Sequence, residues 1–341
     1  MKLHTPFLDT LRIASFVAVC GYHVAYRYCT NAIGSLDWFW GISFESLFLW
    51  CVPTFVMISG AIFLNPQKEI QIATIYKKNI FRIFTALLFW SFIYTLWAVD
   101  GGPWDYLNHF IKGHSHLWFL YMIIGLYAIT PFLRKIIHDS TLAIYFVGLA
   151  FFASFLRPWL FFSFFPHILH IPFYIDSPKI AQNTHLTFTA GYTLYFVMGY
   201  LISSQGISNK IRKFLYALGI ISFCFILYAT FTQSLFRITL FKGFFNFLSI
   251  PALFQSLAIF TFFRYNLNFS NKFISVLSQS TFGAYLIHAL FLECFDKYLN
   301  WTSVSQTSLA TIPIMTLIIA IMSYTSSLLL RKNSILKRFF T

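Results

Sequence analysis

Charge is what this chain has least of. Only 10% of its 341 residues are charged, with 10 acidic against 24 basic, whereas a soluble domain is about 25% charged. With 45 Phe, 19 Tyr and 9 Trp, it holds more aromatic surface than one globular core hides with so few charges to solvate the outside. A soluble protein is thereby excluded in favour of an all-α, polytopic membrane protein. Cysteine is also sparse: Cys20, Cys29, Cys51, Cys224 and Cys294 are scattered, with no Cys-x-x-Cys pair. Neither a disulfide framework nor a thiolate metal site is indicated. His109, His114 and His116 come without a matched carboxylate or cysteine set, so no metal is expected. No small-residue cleavage site follows the first apolar run, which reads as an uncleaved first span. No internal repeat is visible, which weighs against an inverted-repeat transporter.

What is present is a succession of apolar runs. A span needs about 20 such residues, and on that rule about ten helices fall near 7–29, 40–64, 80–99, 117–137, 141–162, 187–203, 213–232, 243–264, 272–295 and 307–330. Turn chemistry separates them at Asn65-Pro66, at Asp100-Gly101-Gly102-Pro103, at Ser203 to Gly206 and at Asn266 to Asn271. The longest connection, near 163–186, holds Pro166, Pro172 and Pro178. No soluble stretch is large enough to stand alone, so residues 1–341 are expected to form a single membrane domain.

Ten spans place 17 of the 24 basic residues on the side of both termini and seven on the other. Of the acids, Asp9, Glu69 and Asp139 lie on the first side. The remaining seven cancel the charge of the second. This asymmetry predicts cytoplasmic termini. It accounts for the whole net charge of +14 and needs no nucleic-acid partner. The lipid bilayer is the partner it implies.

Ionisable residues inside the runs are the candidates for function, because charge in hydrocarbon is costly. Arg12 and His23 lie eleven positions apart in the first run. Eleven helical steps of about 100° return to within about 20° of the start and rise about 16 Å, so both project from one face. Asp9, three residues before Arg12, shares it. In the ninth run, Thr281, Tyr285 and His288 form a stripe. His288 is expected at the depth of His23. His116 and Trp118 open the fourth run near the same outer level, and Glu45 lies early in the second. Three histidines, a tyrosine and a carboxylate at one height would make a polar chamber. Toward the cytoplasm, Arg12 is expected to face Lys77, Lys78 and Arg82, with Ser59-Gly60 at that level. Clustered cations by a membrane entrance suit a polyanionic donor such as a coenzyme phosphate. Plainer roles compete: an interfacial anchor for His116 and Trp118, interhelical hydrogen bonding for Tyr285 and His288, an interfacial place for Glu45, and topology alone for the lysines.

Four motifs in order carry a resemblance: Leu8-Asp9-Thr10-Leu11-Arg12 with His23, Val52 through Gly60, His116-Leu117-Trp118-Phe119-Leu120, and Ser280 through His288. With them the chain resembles the acyltransferase-3 family of integral membrane acyltransferases over nearly its whole length. Within that family it looks most like the bacterial type that O-acetylates surface polysaccharides such as enterobacterial common antigen. The resemblance implies that Arg12 and His23 are the essential pair, and that acetyl-CoA or another acyl-CoA is the donor from the cytoplasm. It also implies a carbohydrate acceptor, lipid-linked or at the cell surface, and a multi-pass place in the bacterial cytoplasmic membrane. The family often carries two basic residues three apart at the start of the third span, where this chain has Asn79 and Arg82.

A sugar hydroxyl is a poor nucleophile at neutral pH, and histidine suits its deprotonation. The expected mechanism has Arg12 and Arg82 holding the donor. His23 acts as general base or transient acyl carrier, and Tyr285, His288 or His116 orients the acceptor or stabilises the oxyanion. Two rivals use the same residues differently: a polysaccharide exporter or proton-coupled transporter, and a structural subunit that would not need the aligned pair.

Overall fold

A computed structural model of the chain describes residues 5–68, 70–160, 189–269, 271–299, 301, 307–333 and 336. The proline-bearing connection near 163–186, and with it Asp176 and Lys179, lies outside the described residues, as do Lys2, Glu69, Lys337 and Arg338 of the charge count. The described secondary structure is helical, without a strand. Among the described residues, eight helical segments are long and apolar enough to cross a membrane. The two other expected spans appear as Thr193–Ser204 and Ile250–Asn266, of 12 and 17 residues, shorter than a perpendicular crossing of about 20.

α1 (Pro6–Tyr28) is the central element. Pro6 starts it, at a position where a missing N–H costs nothing. α1 packs against α2 (Leu36–Phe48), α3 (Cys51–Phe63), α10 (Ile250–Asn266), α11 (Lys272–Cys294) and α12 (Ser308–Leu330). Its side chains at Leu11, Ser15, Phe16, Val24 and Ala25 are fully buried. The outer elements instead turn apolar side chains outward: Ile144, Tyr145, Ile220, Tyr228 and Ile321 are each at least 60% exposed. That is the surface a helix presents to hydrocarbon.

The run expected as one span at 40–64 is one membrane-length segment, Leu36–Phe63, built of two helices. Pro53 explains the break: it has no N–H for the Leu49 carbonyl four residues back, and its ring crowds that carbonyl. It is tolerated because it falls in the first turn of α3. α3 then lies directly on α8 (Thr193–Ser204). A Cβ on Gly60 would collide with the Phe196 backbone carbonyl, and one on Gly199 with that of Met57. Two glycines thus let two backbones touch, a common way for membrane helices to associate without a hydrophobic driving force.

The third span, α4 (Phe81–Ala98), is preceded by a π-helical turn, Ile75–Ile80, that leaves Lys77 and Lys78 exposed. The stretch after it, expected as a connection, contains a ten-residue helix, α5 (Pro103–Lys112), with no buried residue. Pro103 opens it, the Asp105 carboxylate accepts from the Gly102 N–H at 2.9 Å, and Gly113 at φ +69° closes it. This start-and-stop chemistry suffices for a short surface helix. The turn at Gly113 delivers His114 and His116 to the bundle before α6 (Trp118–His138) begins. α7 (Ser140–Phe151) and α9 (Asn209–Arg237) complete the set.

Candidate functional site

Arg12 is held before any ligand arrives. Its guanidinium lies 3.5 Å from the Asp9 carboxylate, one turn away on α1. Ser278 of α11 bridges them: Arg12 Nη1 donates to Ser278 Oγ at 2.7 Å, and that hydroxyl donates to Asp9 Oδ1 at 2.6 Å. Both charged side chains keep some exposure, 25% and 14%. The arrangement spends one face of the guanidinium on positioning and leaves donors free.

Those donors open on a cavity of about 450 Å³, within the usual range of small-molecule sites. Arg12, Arg82 and Arg331 line it, from α1, α4 and the residue after α12. Arg331 Nη1 donates to Ser280 Oγ at 2.6 Å, and the Arg82 guanidinium sits 5.7 Å from the Phe282 ring. Ser59, Tyr127 and Thr281 are among its polar lining. Ser59 is placed there by the close packing of its neighbour Gly60. Phe119 and Tyr285 also line it, with Tyr285 seven residues, or about 10 Å, along α11 from Ser278.

Beyond Tyr285 lie the imidazoles. Its hydroxyl donates to the His116 backbone carbonyl, and its ring stands 5.6 Å from that of His116 and 5.4 Å from that of His288. The His288 ring is 5.2 Å from His116 and 5.3 Å from His23. His116 and His288 are buried, while His23 keeps partial exposure. His288 Nδ1 donates to the Tyr285 carbonyl. In the neutral ring this fixes the tautomer and leaves Nε2 with a lone pair. That nitrogen is buried without a hydrogen-bond partner.

The expected residues therefore fall into two connected groups. Arg12, Ser59 and Arg82 line the cavity, with Asp9 behind Arg12. His23, His116 and His288 gather beyond it, and Tyr285 belongs to both. Two others are held differently. Glu45 is buried, and its carboxylate accepts from Cys29 Sγ at 2.9 Å and from the Tyr22 hydroxyl, whose ring lies 5.7 Å from that of His23. Trp118 is 38% exposed and stacks near Phe247 and Tyr192, at 6.3 and 5.6 Å. Lys77 and Lys78 do not line the cavity.

Sequence reasoning missed Ser278, Arg331, His114, Glu293 and Tyr94 as site residues. Arg331 was legible only as one more positive charge beside the last span. Ser278 lies one turn before the stripe of Thr281 and Tyr285, and that spacing was its one signal. His114 Nδ1 meets His116 Nδ1 at 2.7 Å, and His114 Nε2 meets Glu293 Oε1 at 2.6 Å. These are hydrogen-bond distances between the groups themselves. Among the described residues no three His, Cys, Asp or Glu side chains converge to hold a metal.

A family model described as an acyltransferase domain matches residues 5–331, 327 of the 341 positions. The chain belongs to the acyltransferase-3 family. No curated protein and no solved structure matches it. The resemblance carried by the Arg12–His23 spacing and its three companion motifs is thus borne out at the level of the family, and the chain is a multi-pass membrane acyltransferase. Between enzyme and exporter, the family match favours the enzyme.

Proposed function

We propose that this acyltransferase moves an acyl group, in the simplest case acetyl, from cytoplasmic acyl-CoA to a hydroxyl of a lipid-linked or cell-surface carbohydrate. The observation that carries the reading is the cavity, lined by three guanidiniums and by Tyr285, whose ring lies against the buried imidazoles. Arg12, Arg82 and Arg331 hold the donor phosphates, Arg331 acting as the cation that Asn79 does not supply. The thin pantetheine arm runs past Ser59, Tyr127 and Thr281, and the thioester reaches the level of Tyr285.

His23, partly exposed where His116 and His288 are buried, receives the acceptor. Its ring takes the proton of the attacking hydroxyl, or carries the acyl group for one step before passing it on. Tyr285 and His288 orient the reacting groups. The C–S bond breaks as the C–O bond forms, and the proton taken from the hydroxyl ends on the departing thiolate. The charge balance of the loops supports cytoplasmic termini, which put the cations toward the acyl-CoA pool and His23 toward the outer face of a bacterial cytoplasmic membrane.

The test is the acyl content of surface glycans in cells carrying His23→Ala at normal abundance. The reading expects acylation to disappear. Unchanged acylation overturns it.

A further inference from the structure

The cavity that Arg12 opens on has an aromatic end. Phe55 of α3, Phe119 of α6 and Tyr285 of α11 all line it. Their rings pack on one another, Phe55 on Phe119 at 6.1 Å between centroids and Phe119 on Tyr285 at 5.5 Å. Among the described residues, none of His23, His116 and His288 lines the cavity. Three rings from three helices therefore close it on the side of the imidazoles.

Helix register shows that the cations lie at the opposite end. Within Cys51–Gly60, Phe55 and Ser59 are partly exposed while every other residue is buried. They are four apart, hence on one face, and the space they open on is the cavity that both line. Eight residues on from Phe55, about 12 Å along α3, Phe63 stacks on Tyr127 at 4.1 Å. Tyr127 is likewise eight residues on from Phe119, and it lies within electrostatic reach of Arg12 and Arg82. On α11, Ser278 holds Arg12 about 10 Å before Tyr285. Three helices thus agree on one order, guanidiniums toward one end and Phe55, Phe119 and Tyr285 at the other.

The rings of that end have little room to turn aside. The Tyr285 hydroxyl donates to the His116 backbone carbonyl. On the flank toward α1, the Tyr324 hydroxyl lies 3.0 Å from Thr281 Oγ1, and the Tyr324 ring packs edge-on to the fully buried Phe16 at 5.0 Å. Phe16 in turn stands edge-on to His288 at 6.0 Å. A chain pushed into this end would have to displace close-packed rings, and overpacking of that kind is costly.

We propose that Phe119 and Phe55 are specificity-determining residues that limit the transferred group to a short acyl chain, acetyl above all. The inference rests on the acyl-transfer reading above, which brings the thioester to the level of Tyr285. The acyl carbonyl then lies by Tyr285, and the carbons beyond it point at the Phe55 and Phe119 rings. A methyl group meets that wall without displacing it. Each further methylene has to push a ring away, and in a tight apolar pocket one methylene changes selectivity by about tenfold or more. The cations play no part in this choice, because they hold the end of the donor that all acyl-CoA molecules share.

The experiment uses the full chain in proteoliposomes, with acetyl-CoA and butanoyl-CoA, each radiolabelled in the acyl group, as donors. Membranes from cells lacking this gene are the acceptor source, and the readout is the ratio of kcat/KM for the two donors. Wild type should favour acetyl by about a hundredfold or more, two methylenes at about tenfold each. Phe119→Ala should lower that ratio at least about tenfold, and Phe55→Ala should shift it in the same direction. Phe119→Leu, which keeps an apolar side chain for packing, should give a smaller shift of the same sign. Phe63→Ala, at the other end of the cavity, should leave the ratio at the wild-type value. A wild type that transfers nothing from either donor, or an active His23→Ala, sinks the acyl-transfer reading. A wild type that uses both donors equally well leaves that reading standing and overturns the aromatic wall. So does an unchanged ratio in both Phe119→Ala and Phe119→Leu. A shift in Phe63→Ala as large as that in Phe119→Ala also overturns it, since general loosening of the bundle gives that result.

Discussion

The two ends of the site solve different problems with different physics. At the Arg12 end, charges are permanent, partly exposed and held by a neighbouring carboxylate and hydroxyl. At the His23 end, the rings are mostly buried, and their usefulness depends on which nitrogen carries a hydrogen. The first arrangement binds by charge and tolerates an ångström of slack, because a Coulomb interaction falls off slowly with distance. The second must keep 2.6 and 2.7 Å hydrogen bonds to keep its tautomers. On the proposed reading, binding energy and proton chemistry are separated along α1 by about 16 Å, with Tyr285 lying between the two groups.

Substitutions can break that contrast in order of severity. His23→Ala should have the largest effect, a fall in kcat of about a hundredfold or more, with KM for acyl-CoA little altered. An effect on KM alone would show that the two ends are not separate. Arg12→Ala should act the other way, raising KM for acyl-CoA about tenfold to hundredfold, since a charge-assisted hydrogen bond is worth about 1.5–3 kcal/mol. Arg12→Lys should recover only part of this, because an ammonium cannot reproduce the forked contact. If Lys is fully equivalent, Arg12 serves as a point charge and the Ser278 bridge is incidental.

Smaller changes sharpen the comparison. Arg331→Gln should raise KM for acyl-CoA severalfold without lowering kcat. The loss should shrink as salt is raised, since its guanidinium is partly open to solvent. A kcat effect would place Arg331 nearer the chemistry than its end of the cavity allows. Smallest of all, Trp118→Phe should leave both constants within about twofold, because the ring stacks on its neighbours and touches neither the cavity nor the imidazole row. A large loss there would add an acceptor contact that the present geometry does not contain.

Much of the helical order could be read from residues alone. Hydropathy runs located the ends of α1, α11 and α12 to within a residue or two, and the Arg12–His23 alignment needed only the helical period. Pro53 and the Pro103–Gly113 bracket carried local signals that a hydropathy count overrides: the second span is one membrane-length segment as expected but is built of two helices, and the connection after the third contains a helix. Glu45 stood out in the sequence as an acid inside an apolar run, but no local signal shows that it meets Cys29, sixteen residues away.

What the sequence determined by itself is everything that depends on near neighbours: a helical membrane chain, its charge asymmetry, and the stripe that makes Arg12 and His23 partners on one face. Only the tertiary structure decided which groups meet. Arg331 reaches the Arg12 cavity from the far end of the chain, and His114 meets Glu293 across 179 positions. No periodicity encodes such a meeting, because it is fixed by how whole helices pack. The packing here turns on features as small as the missing Cβ atoms of Gly60 and Gly199.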